Sequence, residues 1–191
     1  MATNNSNGEY SQQQLIIRFL KGLIWWLIGA AICFIYSFMM LGLMQKFMVA
    51  KIVTAVCAVI IVNGLYCNYI YNCATDDKKL KKVRHVETDP KTGIKLALTV
   101  PIMQYASWIV LVLSKIGVIG DFFSIYIFMN MYTLGWVDLF TEERTISALS
   151  WGGIIGLLLL AVLSSVIIYL TYEITIRDID VKRVVFYNRK K

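Results

Sequence analysis

Four long apolar runs dominate this sequence, at residues 19–44, 49–73, 94–117 and 147–172. Each run exceeds the ~20 apolar residues that an α-helix needs to cross about 30 Å of hydrocarbon. Apolar residues make up 58% of the 191-residue chain, above the roughly 45–50% that is usual for soluble domains. The sequence therefore predicts an all-α, polytopic membrane protein, built as a bundle of four transmembrane helices.

Positive charge is divided unequally among the segments that connect the runs. Of the 19 lysines and arginines, 15 lie in the N-terminal flank, the loop between the second and third runs, and the C-terminal tail, whereas 4 lie in the other two loops. Because such residues accumulate on cytoplasmic loops, we expect both termini to be cytoplasmic and the number of spans to be even. Topology also explains the net charge of +7, so we expect no nucleic-acid partner. A secondary attraction of anionic lipid headgroups is compatible with basic residues this close to the spans.

The sequence outside the spans predicts two short segments and no separate soluble domain. Residues 1–14 are polar with a single charge, Glu9, and we expect a disordered cytoplasmic leader rather than a signal peptide, because the following apolar run is too long. Residues 15–172 form the predicted membrane domain. Residues 173–191 form the predicted basic cytoplasmic tail, in which the alternation of Ile174, Ile176 and Ile179 favours one or two short strands.

The segment 118–140 lies between the third and fourth runs and is unusually rich in aromatic residues. Asp121 is a suitable cap for a helix that begins after it, and Asn130 and Gly135 would interrupt that helix. We predict an outer interfacial helical segment, a broken helix that lies in or re-enters the outer membrane interface. The alternatives are a lid or partner-binding surface and a fifth span. A fifth span would place the basic tail outside.

Uncharged polar residues occur at mid-depth in the second and third spans. Asn63 lies about midway along its span, and Gln104 lies about 15 Å from the start of its helix at 1.5 Å per residue. Because a polar side chain in hydrocarbon needs a partner, we predict that Asn63 and Gln104 form a buried, hydrogen-bonded pair. Pro101 is expected to kink the third span.

Small residues recur at four-residue spacing in the first and fourth spans. The first span carries Gly29, Cys33 and Ser37, and the fourth carries Gly152 and Gly156. Such strips allow helices to approach closely. We predict that both strips serve helix packing, within this bundle or between copies of the chain. Thr145 or Ser147 is the expected cap of the fourth helix.

The sequence contains no recognisable catalytic, cofactor-binding or metal-ligating pattern, so we expect no enzyme and no cofactor. The four cysteines lack metal-site spacing and are expected to pack as small apolar residues. No ionisable residue lies deep in a span, which favours an accessory or scaffold subunit of a membrane complex over an ion pathway. The alternative is a small carrier or ligand-binding component for a neutral or lipid-like ligand. The expected partners are the lipid bilayer and a membrane protein or a second copy.

Two stretches carry a resemblance to a known group of proteins. One is the basic loop from Lys78 to Leu98 that leads into a span. The other is Leu149-Ser150-Trp151-Gly152, followed by an apolar span, a tyrosine-rich end and a basic C-terminus. Together they resemble small four-span membrane proteins of Gram-positive, clostridial-type bacteria, which are uncharacterised. The resemblance implies a bacterial plasma membrane and no particular activity.

Overall fold

The computed structural model describes the backbone of residues 4–84, 90–141, 143 and 145–179, and the side chains of these residues apart from 4–13 and 84. In this part of the chain all regular secondary structure is helical. The helices are α1 (Asn4–Met44), α2 (Met48–Arg84), α3 (Thr92–Thr99), α4 (Ile102–Lys115), α5 (Phe123–Met129), a 3₁₀ turn (Met131–Thr133), α6 (Leu134–Phe140) and α7 (Trp151–Ile176).

Three helical segments are long and apolar enough to cross a membrane. They are Gln14–Met44, Met48–Val83 and Trp151–Ile176, and a stretch of 18 residues within each has a mean hydropathy of 2.2, 2.2 and 2.6, respectively. Helices α3 and α4 qualify together as a fourth span and are bent by 46° where they meet. This confirms the kink predicted at Pro101, which has no N–H to donate to the carbonyl of Ala97.

Helices α1 and α2 form an antiparallel hairpin, closed by a short turn at residues 45–47. We call the end of the bundle that holds this turn the hairpin end, and the opposite end, which holds Arg18 and Lys79, the basic end. Helix α2 is the centre of the fold, because it packs against α1, α6 and α7. Helix α3 packs against α7 and α1, and α4 packs against α7 and α5.

The interior consists of two clusters of buried apolar side chains. The first joins α1, α2, α3 and α7, with Tyr66, Ile70 and Leu96 fully buried. The second joins α4, α5, α6 and α7 around Leu111 and Phe123. Large apolar side chains also cover much of the outer surface of the long helices. An apolar exterior of this extent is what a helix bundle presents to lipid.

The segment between α4 and α7 is a broken helix, as predicted, but it is inserted among the other helices rather than resting on their ends. The break is at Asn130, and Tyr132 in the following turn belongs to the buried cluster that contains Val62 and Tyr66. On the return path the Trp136 indole N–H donates to the carbonyl of Ala55 at 3.1 Å. The N-cap residue of α5 is Phe122 and not the predicted Asp121, although the Asp121 carboxylate accepts from the N–H of Phe123 at 2.9 Å.

The ends of the long helices differ from the predictions. Helix α1 begins at Asn4, so residues 4–14 continue a helix that was expected to follow a disordered leader. Helix α7 continues to Ile176, so Ile174 and Ile176 are helical rather than extended. Extending an existing helix adds a hydrogen bond per residue without a new nucleation step. Residues 180–191 of the predicted tail lie outside the described part.

The cap of α7 is a serine further along the chain than expected. Neither Thr145 nor Ser147 caps this helix. Ser150 does so, with its hydroxyl accepting from the N–H of Gly153 at 3.1 Å. Residue 150 has an extended backbone conformation (φ −69°, ψ 156°), which is the usual geometry of an N-cap.

Candidate functional site

A buried ion pair joins three helices at the basic end. Arg18 of α1 donates to both carboxylate oxygens of Asp77 in α2, through Nη1 at 2.8 Å and through Nη2. The Tyr172 hydroxyl of α7 donates to Oδ2 of Asp77 at 2.7 Å. The Asp77 side chain is 3% exposed and that of Arg18 is 12% exposed. A two-pronged, charge-assisted contact of this kind is among the strongest in proteins.

The position of Asp77 follows from the periodicity of α2. Tyr66, Ile70, Cys73 and Ala74 are buried and, like Asp77, recur at three- and four-residue intervals, so these side chains share one face. The apolar face of α2 therefore continues into the charged stretch after residue 75. Asp77 was not among the candidate residues predicted from the sequence. The sequence signal for a buried Asp77 is that the three- and four-residue spacing continues beyond the apolar run.

An open cleft lies beside this ion pair, between the basic ends of α1 and α2. Its volume is about 610 Å³. Its lining residues are Gln14, Ile17, Arg18, Lys21, Trp25, Tyr69, Asn72, Cys73, Asp76, Lys79 and Leu80. Three of them are basic and one is acidic, so the cleft has an excess of positive charge. A concave site with convergent donors and apolar walls is the usual form of a ligand site.

The basic groups of the cleft differ in how they are held. Lys21 and Lys79 are exposed, whereas the Arg18 guanidinium is fixed by Asp77. A guanidinium has five N–H donors, and the carboxylate accepts two of them, which leaves others for a ligand.

Two aromatic rings form the apolar side of the cleft. The rings of Trp25 and Tyr69 are stacked with centroids 6.3 Å apart. The hydroxyl of Tyr69 donates to the carbonyl of Arg18 at 2.7 Å. The rings and the guanidinium are therefore held together, so the cleft has an aromatic wall on one side and two exposed lysines.

The predicted Asn63–Gln104 pair does not form as such. Both residues are buried, but the amide nitrogen of Asn63 donates to the carbonyl of Val59 in its own helix at 2.9 Å. Gln104 donates instead to the hydroxyl of Tyr66 at 3.4 Å. The pairing was predicted from depth alone. Because α2 is rotated about its axis, Tyr66 rather than Asn63 faces Gln104.

The small-residue strip of α1 packs within the bundle. A Cβ at Gly29 would lie 3.6 Å from the side chains of Val62 and Leu65 of α2. The Cys33 thiol contacts the carbonyl of Ala58 at 3.8 Å, and Ser37 is buried. This strip lets α1 lie close against α2.

In α7, only one of the two glycines that were predicted to serve helix packing does so. Gly152 is exposed, and in the part of the chain that the structure describes, the neighbour of its missing Cβ is the Ser150 hydroxyl of the same turn, at 3.7 Å. Phe140 packs against both Gly153 and Gly156: the nearest ring atoms would lie 3.4 Å and 3.0 Å from the missing Cβ atoms, and Leu149 would lie 2.9 Å from that of Gly153. Gly153 and Gly156 therefore leave room for an aromatic side chain of α6. Gly153 has the packing role that was predicted for Gly152.

Comparison with known protein families, with curated proteins and with solved structures finds no match to this chain.

Proposed function

We propose that this chain is a four-span protein of a bacterial plasma membrane, with both termini and the loop between α2 and α3 in the cytoplasm. The uneven distribution of lysine and arginine supports this orientation, and the bent α3–α4 pair supplies the fourth span. In this orientation the basic end faces the cytoplasm, and α5 and α6 enter and leave the bilayer from the outer side.

The orientation predicts opposite labelling of two exposed positions. In a variant with the four natural cysteines replaced, Ala148→Cys is expected to react with a membrane-impermeant maleimide added to intact cells. Lys82→Cys is expected to react only after the membrane is permeabilised. Labelling of Lys82→Cys in intact cells would contradict the proposed orientation.

The function that the cleft supports best is binding of an anionic phospholipid in the cytoplasmic leaflet. The observation that carries this proposal is a cleft in which two free lysines and an anchored guanidinium surround an aromatic wall. Tryptophan prefers the headgroup level of a bilayer, and Trp25 lies one helical turn further into the span than Lys21. A phosphate bound by the lysines would therefore lie at the depth where lipid phosphates occur.

The surroundings of the cleft favour a lipid over a soluble anion. Leu20 and Ile24 are exposed beside Lys21 on the same helix, and in this orientation both face acyl chains. The excess of basic over acidic groups favours a headgroup with net negative charge, because a zwitterionic headgroup also carries an ammonium that the lysines would repel.

Removing the two free lysines is expected to weaken binding of phosphatidylglycerol about 30-fold. Each basic residue near an anionic membrane surface contributes roughly 1 kcal/mol, and about 1.4 kcal/mol corresponds to a factor of ten. The variant is Lys21→Gln with Lys79→Gln, and binding is measured by native mass spectrometry in detergent with added lipid.

The matched control removes the same charge nearby. Lys81→Gln with Lys82→Gln changes two exposed lysines of α2, and it is expected to leave binding within about 2-fold, since neither lysine lines the cleft. Equal losses in the two variants would show general electrostatic attraction and contradict a site. Equal binding of free glycerol phosphate would point to a soluble anion.

The accessory or scaffold role is a second candidate. Its support is that many polar side chains form hydrogen bonds within the bundle. Trp108 donates to the carbonyl of Ile154 at 2.9 Å, and Lys115 donates to the carbonyl of Ser147 at 2.9 Å. The same native mass spectra decide this role: a stoichiometric protein partner in mild detergent is expected if it holds, and a bare monomer would argue against it.

A further inference from the structure

One acidic side chain, Asp76, lines the cleft at the basic end, which is otherwise basic or uncharged. Asn72, Asp76 and Lys79 follow one another at four- and three-residue intervals in α2, so they share the face that lines the cleft. All three residues are exposed. Among the residues that the structure describes, the Asp76 carboxylate has no ion-pair partner. A carboxylate beside a bound phosphate requires an explanation, because like charges repel.

Helix geometry places Asp76 at a level between the two lysines of the cleft. The stacked rings of the aromatic wall come one from α1 and one from α2, and they define a common level of the two helices. At 1.5 Å per residue, Arg18 and Asp76 both lie about 10 Å from that level toward the basic end. Lys21 lies about 6 Å from it in the same direction, and Lys79 about 15 Å. The carboxylate is therefore level with the guanidinium.

The directions of α1 and α2 bring the two lysine side chains toward this level. Side chains of a helix lean toward the N-terminus of that helix. Because α1 and α2 are antiparallel, Lys21 leans toward the basic end and Lys79 leans toward the hairpin end. A phosphate that accepts from both lysines and from Arg18 then lies beside the Asp76 carboxylate. The two anionic groups are compatible only if the ligand also places a hydrogen-bond donor next to Asp76.

From this arrangement we propose that the cleft selects a phospholipid with a hydroxylated headgroup, such as phosphatidylglycerol, and that Asp76 determines this specificity. The inference rests on the proposed lipid-binding function. A headgroup hydroxyl donates to the carboxylate while the phosphate accepts from the basic groups, and both contacts are charge-assisted. Phosphatidate has more negative charge and no headgroup alcohol, so Asp76 repels it. An ammonium headgroup would suit Asp76 but is repelled by Arg18, Lys21 and Lys79.

Competition between lipids with identical acyl chains tests the proposal, measured by native mass spectrometry of the full chain in detergent. We expect phosphatidylglycerol to bind about 5-fold more tightly than phosphatidate, the factor that one hydrogen bond of ordinary net strength supplies. Asp76→Asn is expected to weaken phosphatidylglycerol, strengthen phosphatidate and bring their affinities within about 2-fold. The matched control is Asp178→Asn, which removes an exposed carboxylate that does not line the cleft, and it should retain the preference.

The outcomes separate this inference from the proposed function on which it rests. Absence of phospholipid binding, or binding that does not depend on Lys21 and Lys79, would refute both. Equal affinities of the original chain for the two lipids, or an equal loss of both in Asp76→Asn, would refute selection by Asp76 and leave the lipid-binding function intact. Tighter binding of phosphatidylethanolamine than of phosphatidylglycerol would refute a hydroxyl as the donor. Free glycerol phosphate that competes as well as the lipid would overturn the assignment to a lipid.

Discussion

Replacing Asp77 with leucine is expected to lower the free energy of unfolding by about 3–5 kcal/mol, because it leaves the Arg18 guanidinium buried without its counter-charge. For a chain of this size the corresponding fall in Tm is about 6–20 °C. The substitution also removes the acceptor of the Tyr172 hydroxyl, so α7 loses one of its polar contacts with α2. Thermal unfolding of the purified chain in detergent measures the effect.

A second substitution separates the buried charge from the loss of packing. Arg18→Met combined with Asp77→Leu removes both charges, and we expect it to recover most of the lost stability, since an apolar pair of similar volume can replace a buried ion pair. Asp178→Asn is the control. Its carboxylate pairs with Lys78 at the surface, where its side chain is 73% exposed, and such pairs contribute about 0–1 kcal/mol. A double variant as unstable as Asp77→Leu would contradict this account.

Replacing Gly135 with alanine is expected to destabilise the fold by at least about 2 kcal/mol. A Cβ at this position would lie 2.6 Å from the backbone nitrogen and 2.8 Å from the Cα of Ala55 in α2. Backbone atoms of a long helix cannot rotate aside as a side chain can, so α6 has to move away. That movement would also break the hydrogen bond from Trp136 to the carbonyl of Ala55. A lower Tm, together with increased quenching of tryptophan fluorescence, is the expected result.

The matched control for this prediction is Gly64→Ala. Gly64 lies within α2, and among the described residues no atom beyond its own helical turn lies within 4 Å of the Cβ that it lacks. Alanine is favoured over glycine in a helix by about 0.5–1 kcal/mol, so this variant should be as stable as the original chain or slightly more stable. If both alanine variants behave alike, the close approach of α6 to α2 is not what stabilises the segment.

The features that depend on hydrophobicity along the chain were predictable from the sequence. The apolar runs, the kink at Pro101 and the broken segment around Asn130 each follow from local composition or from the chemistry of one residue. These properties need no knowledge of how the helices are rotated about their axes.

The contacts between helices were less predictable, because they depend on rotation as well as depth. Asn63 and Gln104 were placed at the same depth, yet Tyr66 is the residue that faces Gln104. Likewise, a glycine motif indicates that a helix can be approached closely but does not identify the approaching side chain, which is Phe140 at Gly153 and Gly156. The cleft was missed because Asp77, which fixes one of its walls, belongs to a stretch that is otherwise charged and exposed.

The spacing of the Arg18–Asp77 pair along the chain has a consequence for biosynthesis. The two residues are 59 positions apart and belong to the first hairpin, whereas Tyr172 follows Asp77 by 95 positions. Because chains emerge from the ribosome with the N-terminus first, the arginine and the aspartate can neutralise each other before the last helix has been synthesised. The α1–α2 hairpin can thus enter the bilayer with the charges of Arg18 and Asp77 already paired. Helix α7 then packs against the hairpin and completes the bundle.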